Sequence, residues 1–153
     1  MVCLKTHPME KKNNYEDEIS VLIHDRIKAI RLKDIETLML YYMRDILSYD
    51  VVGTLQYVGS AAIRKRMEEW FGSFDGSIGY DIEDVKISAS DDLAYSFGLC
   101  HVSATKAAGG KLDMWWRETA CYRKIDSKWL IIHEHSSVPF DPKSGKASLG
   151  ITP

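Results

Sequence analysis

Long apolar runs are missing from this 153-residue sequence. WLII and DMWW are far shorter than the roughly 18 residues a membrane span requires. No apolar signal core follows the polar opening MVCLKTHPMEKKNNYEDE, so the chain reads as soluble and cytoplasmic, with no membrane partner expected. A basic excess is missing as well. Lys and Arg number 20 against 22 Asp and Glu, for a net charge of -2, and no dense Lys/Arg stripe marks a binder of phosphate backbones. Nucleic acid is therefore not an expected partner. Cysteine is scarce: Cys3, Cys100 and Cys121 form an odd, widely spaced set, which excludes a disulfide framework and a Cys-x-x-Cys metal pattern and leaves free thiols. There is no Gly-x-Ser-x-Gly elbow for a nucleophilic serine. AAGGK lacks the strand, helix and Lys-Ser/Thr context of a phosphate loop and reads as a hairpin connection.

What remains is an ordinary globular composition, 45% hydrophobic and 27% charged, at a length that fits one domain with a real core. Residues 15–140 carry the pattern, and 1–14 and 141–153 read as flexible tails, the second rich in Pro and Gly. Ile19, Leu22, Ile23, Ile27 and Ile30 recur at helical spacing, which predicts a helix from about Tyr15 to Leu32. Asp34 reads as the N-cap of a second short helix with Ile35, Leu38, Met39, Tyr42 and Met43 inward. A third helix follows Ser60, with Ile63, Met67, Trp70 and Phe71 inward and Gly72 stopping it.

The rest reads as strand. DILSYDVV (45–52) ends at Gly53, and YDIEDVKIS (80–88) changes parity between Ile82 and Val85, as a bulge requires. LAYSFGLCHVSAT (93–105), LDMWWRETACYRK (112–124) and WLIIHEHSSV (129–138) follow, the last after a tight turn at Asp126 and Ser127. Helices first and strands last predict an α+β fold, a strongly bent, mostly antiparallel sheet wrapped on N-terminal helices.

That order resembles the SnoaL-like, ketosteroid-isomerase-like branch of the nuclear transport factor 2 superfamily. The resemblance rests on Tyr57-Val58-Gly59 before the third helix and on the closing pattern Arg-x-Thr, Tyr-Arg-Lys, Lys-Trp, His-x-His-x-Ser-x-Pro. The closing pattern is also similar to the association domains of calmodulin-dependent kinases. The resemblance implies a cone whose concave side encloses an apolar pocket and whose convex side forms dimers. It implies a small-molecule ligand, acid/base chemistry of isomerase, cyclase, dehydratase or hydrolase type, and no cofactor; the alternative is a non-catalytic binding or assembly module.

Strand parity then sorts the polar residues, because a one-residue slip exchanges the faces. A three-residue turn at Ile125, Asp126 and Ser127 pairs Lys124 with Lys128 and Glu118 with Glu134. With the positions of Ile132, Glu134 and Ser136 facing the pocket in related proteins, Trp116, Glu118 and Tyr122 join them. The convex face then holds Trp115, Arg117, Thr119, Arg123, Trp129, Ile131, His133, His135 and Ser137, with Trp115, Arg117, Trp129, His133 and His135 as the homodimer surface. Asp50 lies nine residues before Gly59, the place of the ketosteroid isomerase base, and an aspartate at the mouth of an apolar cleft can take a proton from an acidic C–H. Arg26 occupies the place of the oxyanion tyrosine. The bulky series Tyr95, Phe97, Leu99 and His101 shares the face that is concave in related folds, so Asp50 and His101 are the catalytic candidates. Arg26, Trp70, Tyr95, Phe97, Trp116, Glu118, Tyr122 and Glu134 are the ligand-binding ones. His133 and His135 supply only two nitrogens, and a catalytic zinc needs about three protein ligands, so no metal is expected.

Overall fold

Residues 14–153 are described by a computed structural model; Cys3 and positions 1–13 of the expected N-terminal tail lie outside the described residues. The elements run α1 (Tyr15–Arg31), α2 (Ile35–Met39), β1 (Tyr42–Tyr49), β2 (Tyr57–Val58), α3 (Ser60–Gly72), β3 (Phe74–Ala89), β4 (Leu93–Lys106), β5 (Lys111–Ile125) and β6 (Lys128–Ser137). The strands form one curved sheet in the order β2-β1-β6-β5-β4-β3. All neighbours are antiparallel except β1 and β6, which closes the α+β architecture that the sequence predicts.

α1 buries Ile19, Leu22, Ile23, Arg26, Ala29 and Ile30, a stripe at three- and four-residue spacing that lies on the inner face of the sheet. Glu16, Asp17 and Glu18 in its first turn and Lys28 and Arg31 in its last oppose the helix dipole with the favourable sign. Its C-terminal end is tied to β3: Arg31 Nε donates to the Tyr80 carbonyl at 2.8 Å and Lys33 Nζ to the Phe74 carbonyl at 2.6 Å. Asp34 caps α2 by accepting from the Thr37 amide at 3.0 Å.

α2 is shorter than its pattern predicts. It ends at Met39, and Tyr42 and Met43 belong to β1, because the Tyr41 carbonyl accepts from the Ile131 amide at 2.7 Å and draws the chain into the sheet. β1 correspondingly stops at Tyr49, and 50–56 is a loop rather than the expected strand end. β3 begins at Phe74, earlier than predicted, and carries the bulge: pairing with β4 shifts between Glu83 and Lys86, with Asp84 at φ 51°.

The last hairpin departs from the expected register twice. Asp126 and Ser127, at φ 48° and 66°, make a two-residue turn, so Ile125 faces Lys128 and Lys124 faces Trp129. A bulge at Ile132 then shifts the ladder, pairing Tyr122 with Ile131 but Cys121 with His133 and Glu118 with Ser136. Trp129 and Ile131 are consequently buried, not convex. Trp129 packs edge-on against Tyr15 and donates from Nε1 to Glu18 at 2.7 Å. Beyond the bulge the parity returns to the expected one, which turns Glu134 and Ser136 inward and His133 and His135 outward. After β6, Phe140 bridges to Ala147, and a turn at Asp141 accepts the Gly145 amide.

Gly98 on β4 lies under the β3 bulge, where an added Cβ would stand 2.9 Å from both the Glu83 carbonyl and Ile82 Cγ2. Gly98→Val is expected to destabilise the domain by about 2 kcal/mol, read as a lower denaturant midpoint at unchanged slope.

Candidate active site

Between the helices and the inner face of the sheet lies a cavity of about 480 Å³, within the range of small-molecule sites. Its apolar wall is an aromatic cluster. The Trp70 ring stands 5.5 Å from that of Phe74 and 6.3 Å from that of Tyr80, and Tyr80 stands 5.8 Å from Trp116. Exposed Val52, Ser73, Lys106 and Ala108 mark the mouth.

The floor is ionic. Arg26, on the apolar stripe of α1, grips Glu118 of β5 through two bonds, at 2.6 and 3.4 Å, and reaches Glu134 of β6 at 3.0 Å. Tyr42 and Ser48 of β1 complete the shell: their hydroxyls donate to Glu134 Oε2 at 3.3 Å and Oε1 at 3.1 Å. Burial alone would discharge the Arg26 guanidinium, but Glu118, Tyr42 and Glu134 around it outweigh that and hold it firmly charged. For Glu134 the balance goes the other way. Burial pushes its carboxyl above the usual range, Arg26 opposes this, and the neighbouring Glu118 charge adds to the upward shift. Shared with Glu118, the Arg26 guanidinium thus does not fully offset the burial of Glu134. Burial also drives the Tyr42 and Tyr80 phenols far up, so both stay neutral donors.

A second pair stands further out. Arg66 Nε donates to Asp50 Oδ2 at 2.8 Å, and the Val51 amide donates to Asp50 Oδ1 at 2.6 Å. α3 puts Arg66 on the same face as Ile63, Met67 and Trp70, and β1 delivers Asp50 just past its end. The Asp50 side chain is 22% exposed and that of Arg66 17%, against 13% for Glu134 and 5% for Arg26, so Asp50 and Arg66 meet an entering molecule first.

Of the residues the sequence singles out, Asp50, Arg26, Trp70, Trp116, Glu118 and Glu134 line this one cavity. Tyr122 points inward but is core: its hydroxyl bonds Ser96 Oγ at 2.8 Å, and burial raises its phenol to about 12. The expected placement of His101, Tyr95 and Phe97 in the cavity is wrong by one step of parity. The inner residues of β4 are the small ones, Ala94, Ser96, Cys100 and Val102, because tyrosines from neighbouring strands fill the space over them. Ser96 meets Tyr122, and Cys100 Sγ accepts from the Tyr80 hydroxyl at 3.6 Å. Tyr95 and Phe97, each 48% exposed, stack on the outer face, where His101 lies flat on Trp115 at 4.3 Å and bonds Asp113. Size misleads here: bulk on one face of a strand marks the core only when the opposite layer leaves room for it.

Tyr42, Ser48 and Arg66 are site residues that the sequence reading misses. For Arg66 a signal existed, a charge three residues from Ile63 and four from Trp70 on an otherwise apolar stripe. Tyr42 was hidden by its helical spacing with Leu38. Among the described residues no group of His, Cys, Asp and Glu has the geometry of a metal site.

The upward shift of Glu134 has a sign that can be tested. A carboxyl held above its unfolded value keeps a proton in the folded state after the unfolded chain has lost it. Its contribution to stability is therefore complete below about pH 4.5 and is lost as pH rises through the folded value. Glu134→Gln keeps the shape and removes the titration. Its stability relative to the parent, from urea unfolding across pH 4 to 9, is expected to improve as pH rises; a flat difference would contradict the assignment.

A family model described as a SnoaL-like domain matches residues 19–141. Among solved structures, an NTF2-like protein of unknown function from Pseudomonas putida is 29% identical, with 91% of this chain and 96% of that one covered and a TM-score of 0.83. A Xanthomonas campestris protein provisionally named a calcium/calmodulin dependent protein kinase II association domain is 25% identical over 78% of this chain and 84% of its own, with a TM-score of 0.69. A Streptomyces avermitilis protein provisionally named a dehydratase of the NTF2-like family shares the fold at 13% identity and a TM-score of 0.72, over 82% and 97% of the two chains. No curated protein matches the sequence. On the match across residues 19–141, and with helices, curved sheet and enclosed pocket in the expected places, this chain belongs to the SnoaL-like family of the NTF2-like superfamily.

Proposed function

We propose that the chain is a cofactor-independent enzyme that moves a proton on a small, largely apolar molecule bound in the cavity, in an isomerase- or dehydratase-type reaction. The observation that carries this reading is the pairing of two unlike carboxyls on one aromatic-walled pocket. Asp50, held by Arg66 and the Val51 amide, stands near the mouth in the role of base; Glu134, which burial pushes above its usual range, stands at the floor in the role of acid. A substrate carbonyl or hydroxyl set against Glu134 would receive its proton while Asp50 withdraws one from carbon. Tyr42 and Ser48 then steady the resulting carboxylate. Arg26 is spent on Glu118 and Glu134 and acts through them as a positioning residue, and His101, on the outer face, has no part.

The experiment is hydrogen exchange. A panel of cyclic and aryl ketones in D2O, followed by proton NMR, is expected to show catalysed exchange at an α-carbon. Asp50→Asn and Glu134→Gln should each slow it by about 100-fold or more, and His101→Ala should leave it unchanged. Ligand affinity unaltered by Asp50→Asn alongside lost exchange would fix Asp50 as the base.

A second reading, a binding or assembly module, draws support from the 25% likeness to a protein provisionally named a kinase association domain and from the saturation of Arg26 by its own carboxylates. Under it, compounds would bind without any exchange. In either case we propose a homodimer through the outer face, where Tyr95 and Phe97 join Trp115, Arg117, His133 and His135 in place of the buried Trp129. Phe97→Asp is expected to halve the mass seen by sedimentation.

A further inference from the structure

The cavity is lined by three cationic and three acidic side chains: Arg26, Arg66 and Lys106 against Asp50, Glu118 and Glu134. The floor closes on itself, since Arg26 is bonded to both glutamates. The mouth does not. Asp50 occupies only the Nε position of Arg66, and among the described residues the terminal Nη groups of Arg66 and the Nζ of Lys106 have no partner. The two cations come from different elements, α3 and the end of β4, and both line the same cavity. A guanidinium engaged at Nε still presents two parallel N–H groups at its far end, the geometry that grips a carboxylate. At the mouth two cationic side chains, Arg66 and Lys106, stand against one acidic one, Asp50.

Resting on the small-molecule reading above, we propose that the natural ligand is an apolar acid. Its flat ring body lies among Trp70, Tyr80 and Trp116, and its carboxylate lies at the mouth on the Nη groups of Arg66 and the ammonium of Lys106. The reactive carbonyl or hydroxyl then points inward to Glu134, so the anion fixes which end of the substrate enters first. Such a molecule is a ring-bearing keto or hydroxy acid, and the cavity has room for roughly two or three fused rings.

The test uses 2-naphthoate and its neutral methyl ester as probes, titrated into the intact protein by calorimetry. 2-Naphthoate is expected to bind roughly tenfold more tightly than the ester, as one charge-assisted contact allows. The gap should narrow in 0.5 M salt and close in Lys106→Gln, an exposed position whose replacement leaves the core untouched. Arg66→Gln should likewise weaken naphthoate more than ester. Equal or tighter binding of the ester, or unchanged naphthoate affinity in Lys106→Gln, would overturn the proposal while leaving the pocket reading intact. Failure of both probes to bind would overturn the small-molecule reading and this proposal with it.

Discussion

Everything in the interior is arranged around a guanidinium that has almost no water. The Arg26 side chain is 5% exposed, and it joins the first helix to the fifth and sixth strands through Glu118 and Glu134. Buried ion groups of this kind give little net stability over a hydrophobic filling, while loss of one member strands the others at about 3–5 kcal/mol. The triad is therefore better understood as a fixture than as glue. It ties α1 to the sheet at the floor of the cavity. It also leaves the two carboxyls unequal, since one guanidinium takes two bonds to Glu118 and one to Glu134.

The cavity therefore has two kinds of polarity. The floor is saturated and rigid: each acidic oxygen there has a donor, and among the described residues no buried side-chain polar atom lacks a partner. The mouth is unsaturated: among the described residues the Nη groups of Arg66 and the Nζ of Lys106 have no partner. Between them stand the rings of Trp70, Phe74, Tyr80 and Trp116. Fold alone does not assign chemistry to such a pocket; the side chains that line it do.

Much of the architecture was legible in the sequence because it is written in periodicity. The face of α1, the cap at Asp34, the stop after Gly72 and the bulge in β3 all follow from local rules that act within a few residues. What was not legible depended on space. β4 carries its bulk outward because tyrosines from β3 and β5 claim the inside, and no single strand's sequence records its neighbours' rings. The end of α2 was hidden for the same reason: a bond from Ile131, ninety residues on, turns Tyr42 into a strand residue. In the site, the charges on apolar stripes, Arg26 and Arg66, were the readable signal. The hydroxyl partners of Glu134 were not, since serine and tyrosine are too common to stand out.

The final hairpin reached the right face for Glu134 by two errors that cancel, and the cancellation is instructive. A two-residue turn and one extra residue at Ile132 together restore the parity that a three-residue turn would have given. β6 is thus two half-strands of opposite phase, the first buried beneath α1 and the second facing the cavity with Glu134 and Ser136. The bulge sets the phase of everything after it: the same residues running in unbroken alternation from Ile131 would turn His133 and His135 inward and Glu134 outward, exchanging a carboxyl pocket for an imidazole pocket without altering any side chain. The chemistry facing this cavity is thus set by the phase of the backbone as much as by the identity of the side chains it carries.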